Sequence, residues 1–166
     1  IPRPTNASSS LDTILPLREI LKSGQPAVLR RLDVSSAPES LLAHMNEIFN
    51  GVIEEGSTYP QEFALSGEQF HDYFLGYDAF LLFKDDGIPE SADWRDKICN
   101  AGFVSSPLCR NQGVGRIMAK AFLRLAPALG YKSSVFNLVY ESNAPSCRLW
   151  RSLGFKEVER IPGAGR

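Results

Sequence analysis

Apolar residues recur along the chain at strand-like and helix-like intervals. Residues 27–32 and 79–83 are short apolar runs that predict strands, and the second is continuous enough to be buried on both faces. Residues 11–22 and 41–49 carry apolar side chains three or four positions apart, which is the spacing of an amphipathic helix. The first half of the chain is therefore predicted to combine two strands with helices.

Capping residues add detail to these helices. Ser35 or Ser36 can cap the helix of residues 41–49. The Ser-x-x-Gln pattern at residues 66–69 is that of a capping box, which predicts a further helix to about residue 75.

The last third of the chain places a glycine turn between a predicted strand and a predicted helix. Residues 99–104 form a short run typical of a strand, and residues 110–115 are Arg-Asn-Gln-Gly-Val-Gly. Helical spacing begins directly after the second glycine. Residues 134–140 predict another strand, a short helix follows from Asn143, and a last strand begins near Phe155.

The glycine turn is a candidate anion site. Gly113 and Gly115 lack a Cβ, so a ligand can approach the backbone closely at the start of a helix, where amides are free to donate. Arg110 adds a charge that suits a pyrophosphate. An ordinary strand-to-helix turn explains the motif alone equally well. The ATP-binding P-loop pattern lacks its Lys-Ser/Thr here, and the dinucleotide fingerprint lacks its third glycine.

The order of these motifs resembles the GNAT superfamily of N-acetyltransferases. The resemblance covers about the last third of the chain. The residues that carry it are Arg110, Gly113, Gly115, Asn143, Leu149, Trp150, Gly154 and Phe155. It implies a single α/β (α+β) domain over residues 1–166, with a mixed, mostly antiparallel central sheet, splayed central strands and flanking helices.

A second resemblance reaches back to about Glu54. Residues 58–61, 99–103, 126–132 and 136–139 are similar to the fungal N-acetyltransferases that detoxify the proline analogue azetidine-2-carboxylate. It implies an enzyme that moves an acetyl group from acetyl-CoA to the amine of a small amino or imino acid. A protein lysine or N-terminal acetyltransferase and a non-catalytic acetyl-CoA-binding module remain alternatives.

The GNAT resemblance implies a cofactor-binding set around the turn. Residues 110–115 (Arg110, Asn111, Gln112, Gly113, Val114 and Gly115) would hold the pyrophosphate. The pantetheine arm would lie between strands at 102–104 and 135–140. Backbone amides near Phe103 and Val104 would then bind pantetheine or polarise the thioester carbonyl.

Two further residues flank this set. Asn143 either caps the following helix or contacts the pantetheine arm, or does both. Trp150 stands where many members have a tyrosine that can protonate the thiolate. Because an indole is a poor acid, Trp150 would pack against the cofactor and the proton would come from water or another group. Tyr140 is a weaker candidate donor.

Asn100, Asn137 and Tyr59 are the acceptor-side candidates. Each asparagine lies in an apolar strand run, where a buried amide must find hydrogen bonds. Each amide either satisfies a neighbouring backbone bulge or holds the acceptor, and the second resemblance favours the latter, with Asn137 orienting the acceptor or the tetrahedral oxygen. Tyr59 either packs on a neighbour or lines the acceptor pocket.

Other reactive side chains have simpler interpretations. Cys147 is more easily explained as a packed or idle thiol than as a nucleophile. His71 is favoured as a solvated helix-surface residue over a catalytic base. Glu141 is favoured as a solvated carboxylate at a strand end over a general base.

Composition narrows the partners. The formal net charge is −1 with scattered Lys and Arg, so no basic stripe supports nucleic-acid binding. Three cysteines without metal spacing favour free thiols, a reducing compartment and a cytoplasmic location without a metal. No apolar run is long enough for a membrane helix. The GNAT resemblance also suggests a homodimer.

The chain departs from the family pattern in two places. Between the strand at 79–83 and residue 99 no apolar run of strand length occurs, and we expect a gap in the coordinates between about 85 and 99. The usual closing strand would lie after residue 166. Residues 1–10 are expected to be loose.

Overall fold

A computed structural model describes residues 11–76, 78–84, 103–131, 133–136 and 138–163, together with the backbone of residues 99 and 100. The expectations about residues 1–10 and about a gap between 85 and 99 lie outside these ranges. So does the expectation of a closing strand after residue 166.

The central sheet has, in the described residues, five antiparallel strands in the order β1-β2-β3-β4-β5. The strands are β1 (Leu17–Ile20), β2 (Pro26–Leu32), β3 (Ala79–Lys84), β4 (Cys99–Asn100) and β5 (Val104–Ser105). Leu17 lies opposite Leu29, and Leu29 lies opposite Leu82, so the register aligns apolar residues across three strands. The predicted strands at 27–32 and 79–83 are confirmed as β2 and β3.

Four α-helices flank this sheet in the described residues. They are α1 (Glu39–Glu54), α2 (Gly67–Phe70), α3 (Val114–Ala128) and α4 (Ala144–Ser152). The π-helical turn His71–Leu75 extends α2. The predicted capping box is confirmed, because Ser66 and Gln69 each accept the other's backbone amide through their side chains.

Alternate residues of β3 face the two sides of the sheet. Phe80 and Leu82 belong to a core cluster with Met118 and Leu125 of α3. Leu81 belongs to the other cluster, with residues of α1 and α2 that include Met45, Phe49 and Phe70. The sheet is therefore buried on both faces at β3, as the continuous apolar run predicted.

The predicted helix over residues 11–22 is wrong beyond its first residues. Only residues 11 and 12 are helical, and β1 begins at Leu17. Pro16 explains the difference, because proline lacks an amide hydrogen and disfavours a helical conformation at the residue before it. The apolar side chains keep a packing role, since Leu11 and Leu17 lie in the core beneath α3.

The helix of residues 41–49 forms without the predicted serine cap. Pro38 is the N-cap residue of α1 and makes no side-chain capping bond. The Ser35 amide and hydroxyl donate instead to Asp33 Oδ1, at 3.1 Å and 2.7 Å, in the turn before the helix.

The predicted single strand at 99–104 is wrong. The structure has two short antiparallel strands instead, in which Asn100 lies opposite Val104. Phe103 has a φ of +57°, a left-handed conformation that an extended strand does not contain. The chain therefore reverses between β4 and β5.

The predicted strands at 134–140 and after Phe155 are also wrong. Residues 133–136, 138–140 and 155–161 form neither helix nor strand. A strand requires a hydrogen-bonded neighbour, and the sheet formed by the described residues ends at β5. Val135 (82% exposed) and Val158 (90% exposed) accordingly face solvent, whereas Phe136 and Phe155 pack against Trp150.

Candidate active site

The glycine turn forms as predicted at the N-terminus of α3. Gly113 is the N-cap residue with a φ of +82°, a conformation that favours glycine. Its carbonyl oxygen accepts hydrogen bonds from the amides of Arg116 (3.0 Å) and Ile117 (3.1 Å). The amides of Val114 and Gly115 precede those donors and have no acceptor within the helix. They suit an anion, because the positive end of the helix dipole lies at the same place.

A neighbouring residue of the turn also has a left-handed backbone. Asn111 has a φ of +63°, and its side chain is exposed. The Gln112 side chain turns back to the preceding segment, where its Nε2 donates to the carbonyl oxygen of Leu108 at 3.1 Å. The turn is therefore fixed by backbone conformation and local hydrogen bonds.

Arg110 is engaged by a carboxylate. Its Nη2 lies 2.7 Å and 2.8 Å from the two carboxylate oxygens of Glu55, the C-cap residue of α1. Both side chains are about two-fifths exposed. The charge that the sequence assigns to a phosphate is thus used, in this structure, to join the end of α1 to the glycine turn.

Asn143 caps α4. Its side-chain oxygen accepts a hydrogen bond from the amide of Ser146 at 3.2 Å, and its carbonyl accepts from the amide of Cys147 at 3.1 Å. The capping alternative is therefore correct, and a contact with the pantetheine arm remains a proposal.

Loss of the Asn143 cap is expected to destabilise the protein. Asn143→Ala leaves the amide of Ser146 without its acceptor, and we expect the free energy of unfolding to fall by about 1 kcal/mol, measured by urea denaturation. Asn143→Ser retains a capping oxygen and should retain most of that stability. Equal losses in both variants would contradict the capping role.

Trp150 lies in a cluster to which the described part of the chain contributes five aromatic rings. Its centroid is 4.3 Å from that of Phe136, 4.9 Å from Phe103 and 5.1 Å from Phe155, and Phe122 completes the group. Only 8% of Trp150 is exposed. The cluster joins α3, α4, the segment around residue 136 and the turn before β5. Most of the indole is thus committed to protein contacts, with little surface left for a cofactor.

The two proposed walls of the pantetheine cleft meet at this cluster. Phe103 precedes β5, and Phe136 lies in the segment after α3, with their ring centroids 5.8 Å apart. No strand ladder joins the two segments within the described residues, and β5 is an edge of the sheet formed by them. Val104 anchors that edge because its side chain is 3% exposed in the core beside α1. An edge strand can offer its backbone groups to an extended ligand.

Tyr59 packs against a neighbour. Its ring meets that of Phe49 edge-on with centroids 4.8 Å apart, and Tyr59 packs against the core cluster on the α1 side of the sheet. Burial raises the pKa of the Tyr59 phenol well above its ordinary value, and neighbouring Tyr73 adds to the increase. The phenol therefore stays protonated at neutral pH and cannot serve as a base. A role in the acceptor pocket remains a proposal.

The two asparagines expected at the acceptor lie largely outside the described residues. Asn137 is not among them. For Asn100 the backbone is described, in β4 opposite Leu81 and Val104. Their side-chain roles remain predictions.

The remaining candidates are placed as follows. The Cys147 Sγ lies 3.6 Å from the Tyr140 carbonyl oxygen. His71 has a side chain 53% exposed, beside Asp72. Glu141 is 81% exposed and pairs with Arg160 at 2.8 Å, which agrees with a solvated carboxylate.

The described residues form neither a candidate metal site nor a membrane-spanning helix. They contain no group of three or more His, Cys, Asp or Glu side chains that could hold a metal ion. None of their helices has the length and apolar character needed to cross a membrane.

Comparison with known proteins identifies the class. The sequence model of the acetyltransferase (GNAT) family matches residues 59–155. The N-acetyltransferase aca1 of Schizosaccharomyces pombe is 34% identical in an alignment of 153 residues, and the match covers 77% of this chain and 73% of that protein. The chain therefore belongs to the GNAT family and is an acetyltransferase, and this family generally uses acetyl-CoA.

Two further comparisons agree. Bacillus subtilis YwnH, for which phosphinothricin acetyltransferase activity has been proposed, is 32% identical over 68 residues, 41% of either chain. A crystal structure of a proposed phosphinothricin N-acetyltransferase superimposes with a TM-score of 0.60 at 21% identity, covering 84% of this chain and 89% of that one. The superposition confirms the predicted fold class.

Sequence reasoning missed two features of the site. It did not identify Glu55 as the partner of Arg110, because the two residues are 55 positions apart and no local pattern links them. It also did not single out Lys22, which lies against the glycine turn and is an ordinary exposed lysine by its sequence context.

Proposed function

We propose that the chain transfers an acetyl group from acetyl-CoA to the amine of a small amino or imino acid, such as the proline analogue azetidine-2-carboxylate. The acceptor class is supported by the resemblance of residues 58–61, 99–103, 126–132 and 136–139 to the fungal enzymes that act on that compound. Two relatives bear names that refer to phosphinothricin, which is also a small molecule. A cytoplasmic location and a homodimer remain predictions from the sequence.

The observation that carries the proposal is the geometry of the Gly113 turn. Its positive φ directs the chain into α3, where the amides of Val114 and Gly115 precede Arg116, the first residue whose amide donates within the helix. The pyrophosphate of acetyl-CoA fits two convergent amide donors at a helix N-terminus. Residues 110–115 and the β5 edge, with Phe103 and Val104, would then hold the cosubstrate along its length.

The acetyl transfer needs few protein groups. The amine nitrogen attacks the thioester carbonyl carbon, the carbon–sulfur bond breaks, the amine proton leaves through water, and the departing thiolate takes a proton from water. Asn137 would orient the acceptor or the developing oxyanion, and Asn100 would hold the acceptor's carboxylate or amine. Trp150 supplies no proton, because an indole is a poor acid and this one is buried among phenylalanine rings.

Thiol release tests the proposal. The protein is incubated with acetyl-CoA and a panel that contains azetidine-2-carboxylate, proline, other free amino acids and short peptides with a free lysine or N-terminus. We expect release that depends on a small amino or imino acid and yields its N-acetyl product. Thiol release with peptides alone would contradict a small-molecule acceptor and would favour acetylation of a protein lysine or N-terminus. Heat of acetyl-CoA binding in calorimetry without any release would indicate a binding module.

A further inference from the structure

We propose that Lys22, in the turn between β1 and β2, supplies the positive charge that binds the pyrophosphate at the Gly113 turn. The inference rests on the proposed binding of acetyl-CoA. It assigns a cosubstrate contact to a residue outside the GNAT motif, in addition to the contacts proposed for residues 110–115.

The Lys22 side chain lies along the glycine turn. A Cβ placed on Gly113 would be 3.4 Å from Cγ of Lys22, 3.9 Å from Cδ and 4.0 Å from Cε, and these are the three nearest heavy atoms outside Gly113 and its two chain neighbours. The side chain thus occupies the space beside Gly113 as far as the carbon that bears the ammonium group. The charge is therefore one covalent bond beyond a carbon that lies next to the glycine turn.

The backbone fixes Lys22 in this place. Its amide donates to the carbonyl oxygen of Gln112 at 3.1 Å, which joins the β1–β2 turn directly to the glycine turn. Leu21, the preceding residue, is 5% exposed and lies in the same core cluster as Val114 and Met118 of α3. The β1–β2 turn is itself closed by bonds from the Leu21 amide to Gln25 O and from the Gly24 amide to Leu21 O, each 2.9 Å. The backbone of Lys22 is therefore fixed beside the glycine turn by hydrogen bonds.

The charge distribution favours Lys22 over Arg110. The Arg110 guanidinium is held by both carboxylate oxygens of Glu55. Lys22 is exposed and forms no ion pair with any acidic side chain in the described ranges. A lysine in this position offers three ammonium donors to a phosphate. Lys22 and the amides of Val114 and Gly115 then act on the same anion from two elements.

Lys22→Met tests the charge while keeping the aliphatic stem that covers Gly113. We expect the Kd for acetyl-CoA, measured by calorimetry at low salt, to rise about tenfold, as loss of a charge-assisted hydrogen bond to a phosphate requires. The salt dependence of binding should decrease as well. Lys22→Arg should restore most of the affinity. Lys120→Met, at an exposed lysine further along α3, is the matched control and should bind like the unmodified chain.

Two ligands separate a phosphate contact from a general loss of structure. ADP carries the pyrophosphate, and pantetheine carries the arm without it. Lys22→Met should weaken ADP binding and leave pantetheine binding unchanged. An unchanged Kd for acetyl-CoA, or equal losses for ADP and pantetheine, would overturn the role of Lys22 while leaving the proposed function intact. Failure of the unmodified chain to bind acetyl-CoA would overturn both.

Discussion

Trp150→Ala is expected to lower the free energy of unfolding by about 3–5 kcal/mol, the largest stability effect that we expect from a single substitution in this chain. Trp150 is 8% exposed and contacts four phenylalanine rings, so truncation removes a large apolar side chain and leaves a cavity. The ring contacts add a further contribution beyond buried area. Urea denaturation followed by circular dichroism measures the loss without depending on the removed fluorophore.

Two variants make this measurement specific. Trp150→Phe keeps an aromatic ring in the cluster and should cost on the order of 1–2 kcal/mol. Val158→Ala changes an apolar side chain that is 90% exposed, and its effect should lie within about 0.5 kcal/mol. If Trp150→Ala costs no more than Val158→Ala, the aromatic cluster is not a packed unit.

The same variants address the function of Trp150. If it stabilises the site by packing on protein, Trp150→Phe should bind acetyl-CoA nearly as well as the unmodified chain. A large loss of affinity in Trp150→Phe, with stability retained, would show direct contact with the cosubstrate. That result would favour the sequence-based expectation over the packing seen in the structure.

Sequence patterns correctly predicted the elements that depend on neighbouring residues alone. The capping box at Ser66 and Gln69 formed because both side-chain bonds are made within one turn. The run at 79–83 became the strand that is buried on both faces of the sheet, between α1 and α3. The Gly113 turn formed because glycine readily adopts its positive φ.

The errors came where one residue or a distant partner decides the outcome. Pro16 interrupts the helix-like pattern of residues 11–22, and Leu11, Leu17 and Leu21 pack in the core without forming that helix. Phe103 has a positive φ within a strand-like run, a conformation that is unfavourable for a residue with a bulky side chain. Its ring packs against Phe122 and Trp150, and these contacts join residues that are distant in sequence. Residues 134–140 have a strand pattern but no ladder among the described residues, and pattern alone does not supply a pairing partner.

The candidate site divides in the same way. The cofactor-binding residues could be predicted because the glycine turn, the start of α3 and the cap of α4 each depend on residues that are close together in sequence. The charged side chains around the turn could not be predicted, because Glu55 and Lys22 are distant from it in sequence and approach it only in the folded chain. The acceptor half still depends on the resemblance and on two asparagines, and substitution at one of them is the most direct test.

Asn137→Ala is expected to lower kcat by about 100- to 1,000-fold while leaving the Kd for acetyl-CoA largely unchanged. That range is the usual cost of removing one side-chain donor from a developing oxyanion. The effect should fall on turnover because the proposed contact is with the acceptor or the tetrahedral oxygen, while the pyrophosphate is held at residues 110–115. Steady-state thiol release gives kcat, and calorimetry gives the Kd for acetyl-CoA.

Asn137→Asp is the matched variant, since it keeps the size of the side chain and replaces the amide donor by a carboxylate. If Asn137 acts by donating, the Asp variant should be nearly as slow as Ala, because a carboxylate accepts hydrogen bonds and repels an oxyanion. If Asn137→Asp is clearly faster than Asn137→Ala, a base acts at this position, and this result would contradict transfer of the amine proton through water. Unchanged turnover in Asn137→Ala would remove Asn137 from the mechanism. Acetyl transfer would then have to depend on Asn100 and on the backbone amides at the β5 edge.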